Sequence, residues 1–159
     1  MNDHLDNFIN QLQQQIFDEA RKTLGENGFQ RWRTPKYNKR MENPDAFARI
    51  TGSCGDTMEI FLKFHGQQVI DASYFTDGCG SSSVCGSFAA EMAIGKNPDE
   101  IITIDGNSIL ARLGHVSKDE EHCAFLAAET LQAALHDHMV RQGTRQHDGD
   151  QEFTTETRK

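Results

Sequence analysis

Met58-Glu59-Ile60-Phe61-Leu62-Lys63-Phe64 is the stretch whose reading decides the fold. Met58, Ile60, Leu62 and Phe64 share one side of an extended chain, so the segment predicts a half-buried strand. Upstream, Ala46-Phe47-Ala48-Arg49-Ile50-Thr51 repeats the two-residue period. Downstream, His65-Gly66 supplies a turn, and Val69 to Thr76 is rich in β-branched and aromatic residues. The simplest pairing of three such strands is an antiparallel meander.

Helical periods flank this core. Leu5, Phe8, Ile9, Leu12, Ile16, Phe17, Ala20 and Leu24 recur at spacings of three and four before Gly25 and Gly28, predicting an N-terminal amphipathic helix over 1–28. Its stripe is expected to pack on the domain's own core, with a homodimer or a partner groove as the alternative. Phe29 to Asn43 reads as an irregular connector anchored by Trp32 and Tyr37. Ser81, Ser82 and Ser83 offer N-caps for a helix that stops at Gly95, and a further helix spans about Asp99 to Leu113 with a break near Gly106. In the last helix Cys123, Leu126, Thr130, Leu131, Ala134, Leu135 and His138 form an inward stripe. Cys123 falls in its first turn, where the helix dipole is expected to lower a thiol pKa. The main domain is read as 29–140, and the polar residues 141–159 as a disordered tail.

Composition narrows the class. At 159 residues, with 36% hydrophobic and 25% charged, the chain fits one ordinary globular domain. A net charge of -8 argues against nucleic acid or an anionic membrane as partner, the basic cluster of Arg31, Arg33, Lys36, Lys39 and Arg40 being only local. No apolar run reaches membrane-spanning length, and the first residues lack the design of a signal peptide, so a soluble cytoplasmic protein is expected. In that compartment the four cysteines are expected to be free thiols.

Three of them stand beside glycine or a second metal-capable side chain: Gly-Ser-Cys54-Gly-Asp56, Asp-Gly-Cys79-Gly-Ser and Glu-His122-Cys123-Ala. Glycine lets backbone approach an ion closely, while thiolate, carboxylate and imidazole bind soft or borderline metals. Cys54, Asp56, Cys79, His122 and Cys123 are therefore candidate metal ligands from three separated segments. Cys85, inside the predicted helix, reads as packing. His136 and His138, near the negative pole of the last helix, read as solvent-facing structure. No residue is assigned a catalytic role.

The strings Asn43-Pro44, Gly52-Ser53-Cys54-Gly55-Asp56-Thr57-Met58, Thr76-Asp77-Gly78-Cys79-Gly80-Ser81 and His122-Cys123-Ala124-Phe125-Leu126-Ala127 resemble, in order, landmarks of the NifU/IscU family of iron-sulfur cluster scaffold proteins. The resemblance covers roughly residues 40–140. It implies an α+β fold, with helices on one face of a three-stranded antiparallel sheet. It also implies a cluster site of Cys54, Asp56, Cys79 and Cys123, with His122 as a nearby or alternate ligand. The cargo would be an iron-sulfur cluster of 2Fe-2S type, with Zn2+ in the isolated protein, and the partners a cysteine desulfurase and apo iron-sulfur proteins.

This chain departs from the family pattern before Cys123. The family's leucine and two prolines followed by a lysine are here Leu113-Gly114-His115-Val116-Ser117-Lys118-Asp119-Glu120-Glu121, with Glu120 where the lysine would fall. That argues against delivery through a dedicated Hsp70-type chaperone. The N-terminal arm is also longer, marking a divergent branch. A zinc-dependent sulfurtransferase that accepts persulfide sulfur from a cysteine desulfurase would use the same ligands and is the alternative. A zinc deaminase would need a His-x-Glu and Pro-Cys-x-x-Cys pattern that the chain lacks, and a thiol redox protein would need a Cys-x-x-Cys pair.

Overall fold

The computed structural model describes residues 2–152, with side-chain environments through Gln146. The chain runs α1 (Asn2–Arg33), β1 (Ala46–Thr51), β2 (Thr57–His65), β3 (Gln68–Thr76), α2 (Gly80–Ala93), α3 (Pro98–Ile101), α4 (Gly106–Leu113), a 3-10 turn (Lys118–Glu120) and α5 (Glu121–Glu152). The strands pair antiparallel in the order β1-β2-β3, with Ala48 opposite Ile60 and Ile60 opposite Tyr74. This is the expected meander.

Alternation explains why the helices lie on one face. Met58, Ile60, Leu62, Ala72 and Tyr74 are fully buried beneath α2 and α5, where they meet Val84, Ala89, Ala124, Ala127 and Leu131. The other face is closed by smaller means: Phe47 packs on Phe61, and Arg40 stacks over Phe75 while donating to Glu59. The free edge of β3 is covered too. Tyr74 N–H donates to Tyr37 O, Lys39 N–H to Tyr74 O, and Val69 exchanges hydrogen bonds with Gly95 and Lys96. An unpaired strand edge is an aggregation template, so the irregular connector serves as an edge cover.

The helices depart from expectation in three places. Gly25 kinks α1 (φ 70°, ψ 176°) instead of ending it, and helix resumes to Arg33. A Cβ at Gly25 would also stand 2.5 Å from His115 O, so the kink is where the loop before α5 crosses α1. The stripe of α1 does not pack on the core: Leu5, Phe8, Ile9, Leu12 and Ile16 are all exposed, and the packing begins near Phe17, whose ring meets Phe29 and Trp32. The Asp99–Leu113 segment, by contrast, breaks near Gly106 as expected, because Asp105 accepts from Ser108 N–H and caps a fresh start. Finally, α5 continues through residues 141–152, against the disorder expected of 141–159, while 153–159 lie outside the described residues.

Candidate metal centre

The β1–β2 turn, the β3–α2 junction and the start of α5 meet at one end of the sheet. Gly52 N–H bonds to Asp56 O at 2.8 Å and Gly55 N–H to Gly52 O at 3.0 Å, closing a tight turn with Gly55 at φ +90°. That turn holds Cys54 out in solvent and turns Asp56 inward. Thr76-Asp77-Gly78 is tied to the start of β2: Thr57 N–H donates to Asp77 Oδ1 at 2.7 Å, and Gly78 N–H donates to Thr76 Oγ1. A Cβ on Gly78 would lie 2.5 Å from Asp56 Oδ2, so only glycine lets the carboxylate lie against this backbone.

One ligand atom each from Asp56, Cys79 and Cys123 lies within 4.8 Å of the others, with Cys79 Sγ 3.9 Å from Asp56 Oδ2. Two thiolates on one tetrahedral ion, each with a bond of about 2.3 Å, stand about 3.8 Å apart. The three side chains are thus close to a ligand arrangement, and their donor types suit iron or zinc. Cys54 and His122 fall outside this group; His122 is exposed, with Nε2 3.6 Å from Cys123 Sγ.

Burial tunes the thiols unequally. Cys79 is exposed, but Cys123 is fully buried, and its pKa is pushed up to about 12. Desolvation is the leading cause, opposed by the neighbouring Ser82 hydroxyl and reinforced by the charges of Cys79 and Glu120. This reverses the expected lowering: at the first turn of α5, loss of water dominates. Cys123 therefore holds its proton at neutral pH, and a metal must displace it.

Two residues at the site escaped the sequence reading. Ser82 Oγ is 2.7 Å from Asp56 Oδ2 and 3.4 Å from Cys123 Sγ, so its one proton goes to the carboxylate, the shorter and charge-assisted bond. The serines after Cys79 are therefore not helix caps: Cys79 is the cap residue of α2, and Ser82 is a buried clamp on Asp56. Glu120 reaches in from the 3-10 turn, its Oε2 3.8 Å from Cys79 Sγ and 3.9 Å from Cys123 Sγ. The signals were their offsets, three residues after Cys79 and three before Cys123, which put each on the ligand side of a helical turn.

Cys85 is buried within α2, where desolvation raises its pKa strongly, in keeping with a packing role. His138 corrects the sequence reading: it is buried and stacked on Phe64 at 3.7 Å, not solvent-facing.

Two thiols and a carboxylate converge where two loops meet a helix start, partly open to water, which makes a candidate thiolate metal site on an α+β domain. The chain belongs to the NifU-like N terminal domain family, whose profile matches residues 26–145. It is 30% identical over 116 residues to "Iron-sulfur cluster assembly scaffold protein IscU 1" of Archaeoglobus fulgidus, covering 72% of this chain and 76% of that protein. It is 32% identical over 105 residues to "Iron-sulfur cluster assembly scaffold protein IscU" of Azotobacter vinelandii, covering 64% of this chain and 81% of that protein. Among solved structures, the N-terminal NifU-like protein of Brucella abortus superposes with a TM-score of 0.61 at 15% identity, over 76% of this chain and 97% of that one. At such identity the likeness establishes the fold, and it agrees with the α+β sheet expected from the sequence.

Proposed function

We propose that this protein is an iron-sulfur cluster assembly scaffold, which builds a labile cluster from iron and desulfurase-derived sulfur and passes it to apo-proteins. The observation that carries the reading is the convergence of Asp56, Cys79 and Cys123 at a solvent-reachable sheet end, with Cys54 held just outside. The chain's relatives are named as scaffolds of this kind.

The chemistry follows from the donors. Cys54, Cys79 and Cys123 supply the thiolates that cluster iron prefers, and Asp56 supplies a harder oxygen that releases it more readily. Ser82 holds that carboxylate in place before iron arrives. The exposure of Cys54 and Cys79 leaves room for a cysteine desulfurase to deliver sulfur and for an apo-protein to withdraw the product. Such a protein is a carrier rather than an enzyme. Four ligands suit a 2Fe-2S cargo, with two on each iron.

Delivery is proposed to be independent of a dedicated Hsp70-type chaperone. The segment where the family carries its prolines is tied down here: Ser117 N–H donates to Thr23 O at 2.9 Å, and His115 lies against Gly25. It is not presented as an extended peptide for a chaperone groove.

Asp56→Ala tests the release argument. Transfer of a preformed cluster to apo-ferredoxin is expected to be slower from the variant than from the wild type. Equal or faster transfer would count against Asp56 as the labile ligand.

A further inference from the structure

We propose that Glu120 is a metal ligand, and that the first divalent ion at the site is held by Asp56, Cys79, Cys123 and Glu120, with Cys54 left free. The inference rests on the site being a metal-assembly site, and it adds a ligand and an order of binding.

Three observations carry it. The first is distance: Glu120 Oε2 lies 3.8 Å from Cys79 Sγ and 3.9 Å from Cys123 Sγ. On one tetrahedral ion with metal–sulfur bonds of about 2.3 Å and metal–oxygen bonds of about 2.0 Å, sulfur and oxygen stand about 3.5 Å apart. The carboxylate is thus a few tenths of an ångström from a ligand position relative to both thiols at once.

The second is charge. Asp56 and Glu120 face the same two thiols, yet no ion pair among the described residues engages either carboxylate. The nearest donors to Glu120 are the thiols themselves. Two carboxylates and two thiols around one place form a set whose charge a divalent cation would neutralise, taking the places of the thiol protons.

The third is support. Glu120 N–H donates to Ser117 O at 2.9 Å, and Ser117 N–H is in turn held by Thr23 of α1. Glu120 also lines a cleft of about 290 Å³ with Trp32, Cys79, Gly80 and Ser81, so its backbone is fixed while its side chain remains reachable from solvent. Glu120 and Cys54 both lie outside the Asp56–Cys79–Cys123 group, but Glu120 stands beside both of its sulfurs, whereas Cys54 sits exposed on the β1–β2 turn. Two sulfurs and two oxygens make a harder set than three sulfurs and one oxygen, suited to a single ferrous or zinc ion. Cys54 then remains an available thiol when the second iron and sulfide enter.

The test compares the full chain with Glu120→Gln, Glu120→Asp and Cys54→Ser. Zn2+ and Co2+ affinities are measured anaerobically at neutral pH by chelator competition, with Co2+ ligand-field bands recorded and folding checked by circular dichroism. Glu120→Gln is expected to weaken binding at least about tenfold, the smaller loss typical of a residue that merely supports a ligand. Glu120→Asp keeps the charge but withdraws the oxygen by one methylene, and should also weaken binding and shift the Co2+ bands. Cys54→Ser should stay within about twofold of wild type, well below that supporting-residue loss. Unchanged affinity in Glu120→Gln, or a loss in Glu120→Gln with none in Glu120→Asp, would overturn the ligand role, the latter by reducing it to charge alone. A loss in Cys54→Ser equal to that in Glu120→Gln would overturn the order of binding. If the variants rank as expected but no cluster assembles on the wild type, the scaffold reading fails while the ligand assignment stands.

Discussion

At the loop end of the sheet, Asp56, Cys79 and Cys123 place ligand atoms within 4.8 Å of one another, and Glu120 closes on both sulfurs. At the opposite end, beyond the β2–β3 turn, His138 lies flat on Phe64 at 3.7 Å near Asp45 and Arg141, and its Nε2 has no hydrogen-bond partner among the described residues. Both ends carry metal-capable side chains. Only at the first do backbone turns, Gly78 and Ser82 aim them at a common point; at the second, the imidazole is committed to packing. Residue type is therefore a weaker guide to a site than convergence and access.

The comparison breaks most sharply if the thiols of the first end are dispensable. Cys79→Ser and Cys123→Ser are each expected to abolish the reconstituted chromophore, and Cys54→Ser to prevent a complete cluster while sparing the single ion. A chromophore retained by Cys123→Ser would show that convergence in the fold does not mark the ligands.

Ser82→Ala sharpens it next. Removing the 2.7 Å bond to Asp56 leaves the carboxylate unheld, so Zn2+ affinity should fall about 10–100-fold, as when a ligand loses its supporting partner. Chelator competition reads the change.

Cys85→Ser probes a buried thiol that belongs to neither end. It is 1% exposed, so putting a hydroxyl in place of the thiol buries a polar group and should lower stability by about 1–3 kcal/mol in urea melts. The chromophore should survive.

The smallest effect belongs to the packed end. Burial holds the His138 pKa below its ordinary value; Asp45 and Asp137 oppose the shift and Arg145 adds to it. The folded state therefore disfavours the charged ring. Its contribution to stability is fully present above the unfolded pKa of about 6.5 and is lost as pH falls toward the lowered folded value. His138→Leu should flatten the decline in stability between neutral and mildly acid pH, read from denaturant melts at each pH.

Much of this architecture was legible in the chain. The strands announced themselves because alternation at Met58, Ile60, Leu62 and Phe64 leaves no helical reading, and the glycine-flanked cysteines marked the loops. The exposed α1 stripe was not legible, since an amphipathic pattern records a wish for burial and not where it is met. Glu120 and Ser82 were hidden for a different reason. Their roles depend on three segments meeting, and in sequence each looks like an ordinary polar residue of a helix start. The Cys123 pKa was misjudged because the dipole is visible in the sequence while desolvation is a property of the packed core.

The most direct test of the central claim is anaerobic reconstitution of the full chain with ferrous iron, sulfide and a cysteine desulfurase, followed by visible absorption and Mössbauer spectroscopy. A stable brown chromophore with cluster-iron spectra that passes to apo-ferredoxin is the predicted result. A colourless protein that retains one tightly bound zinc and accepts sulfur would contradict the scaffold and identify a sulfurtransferase.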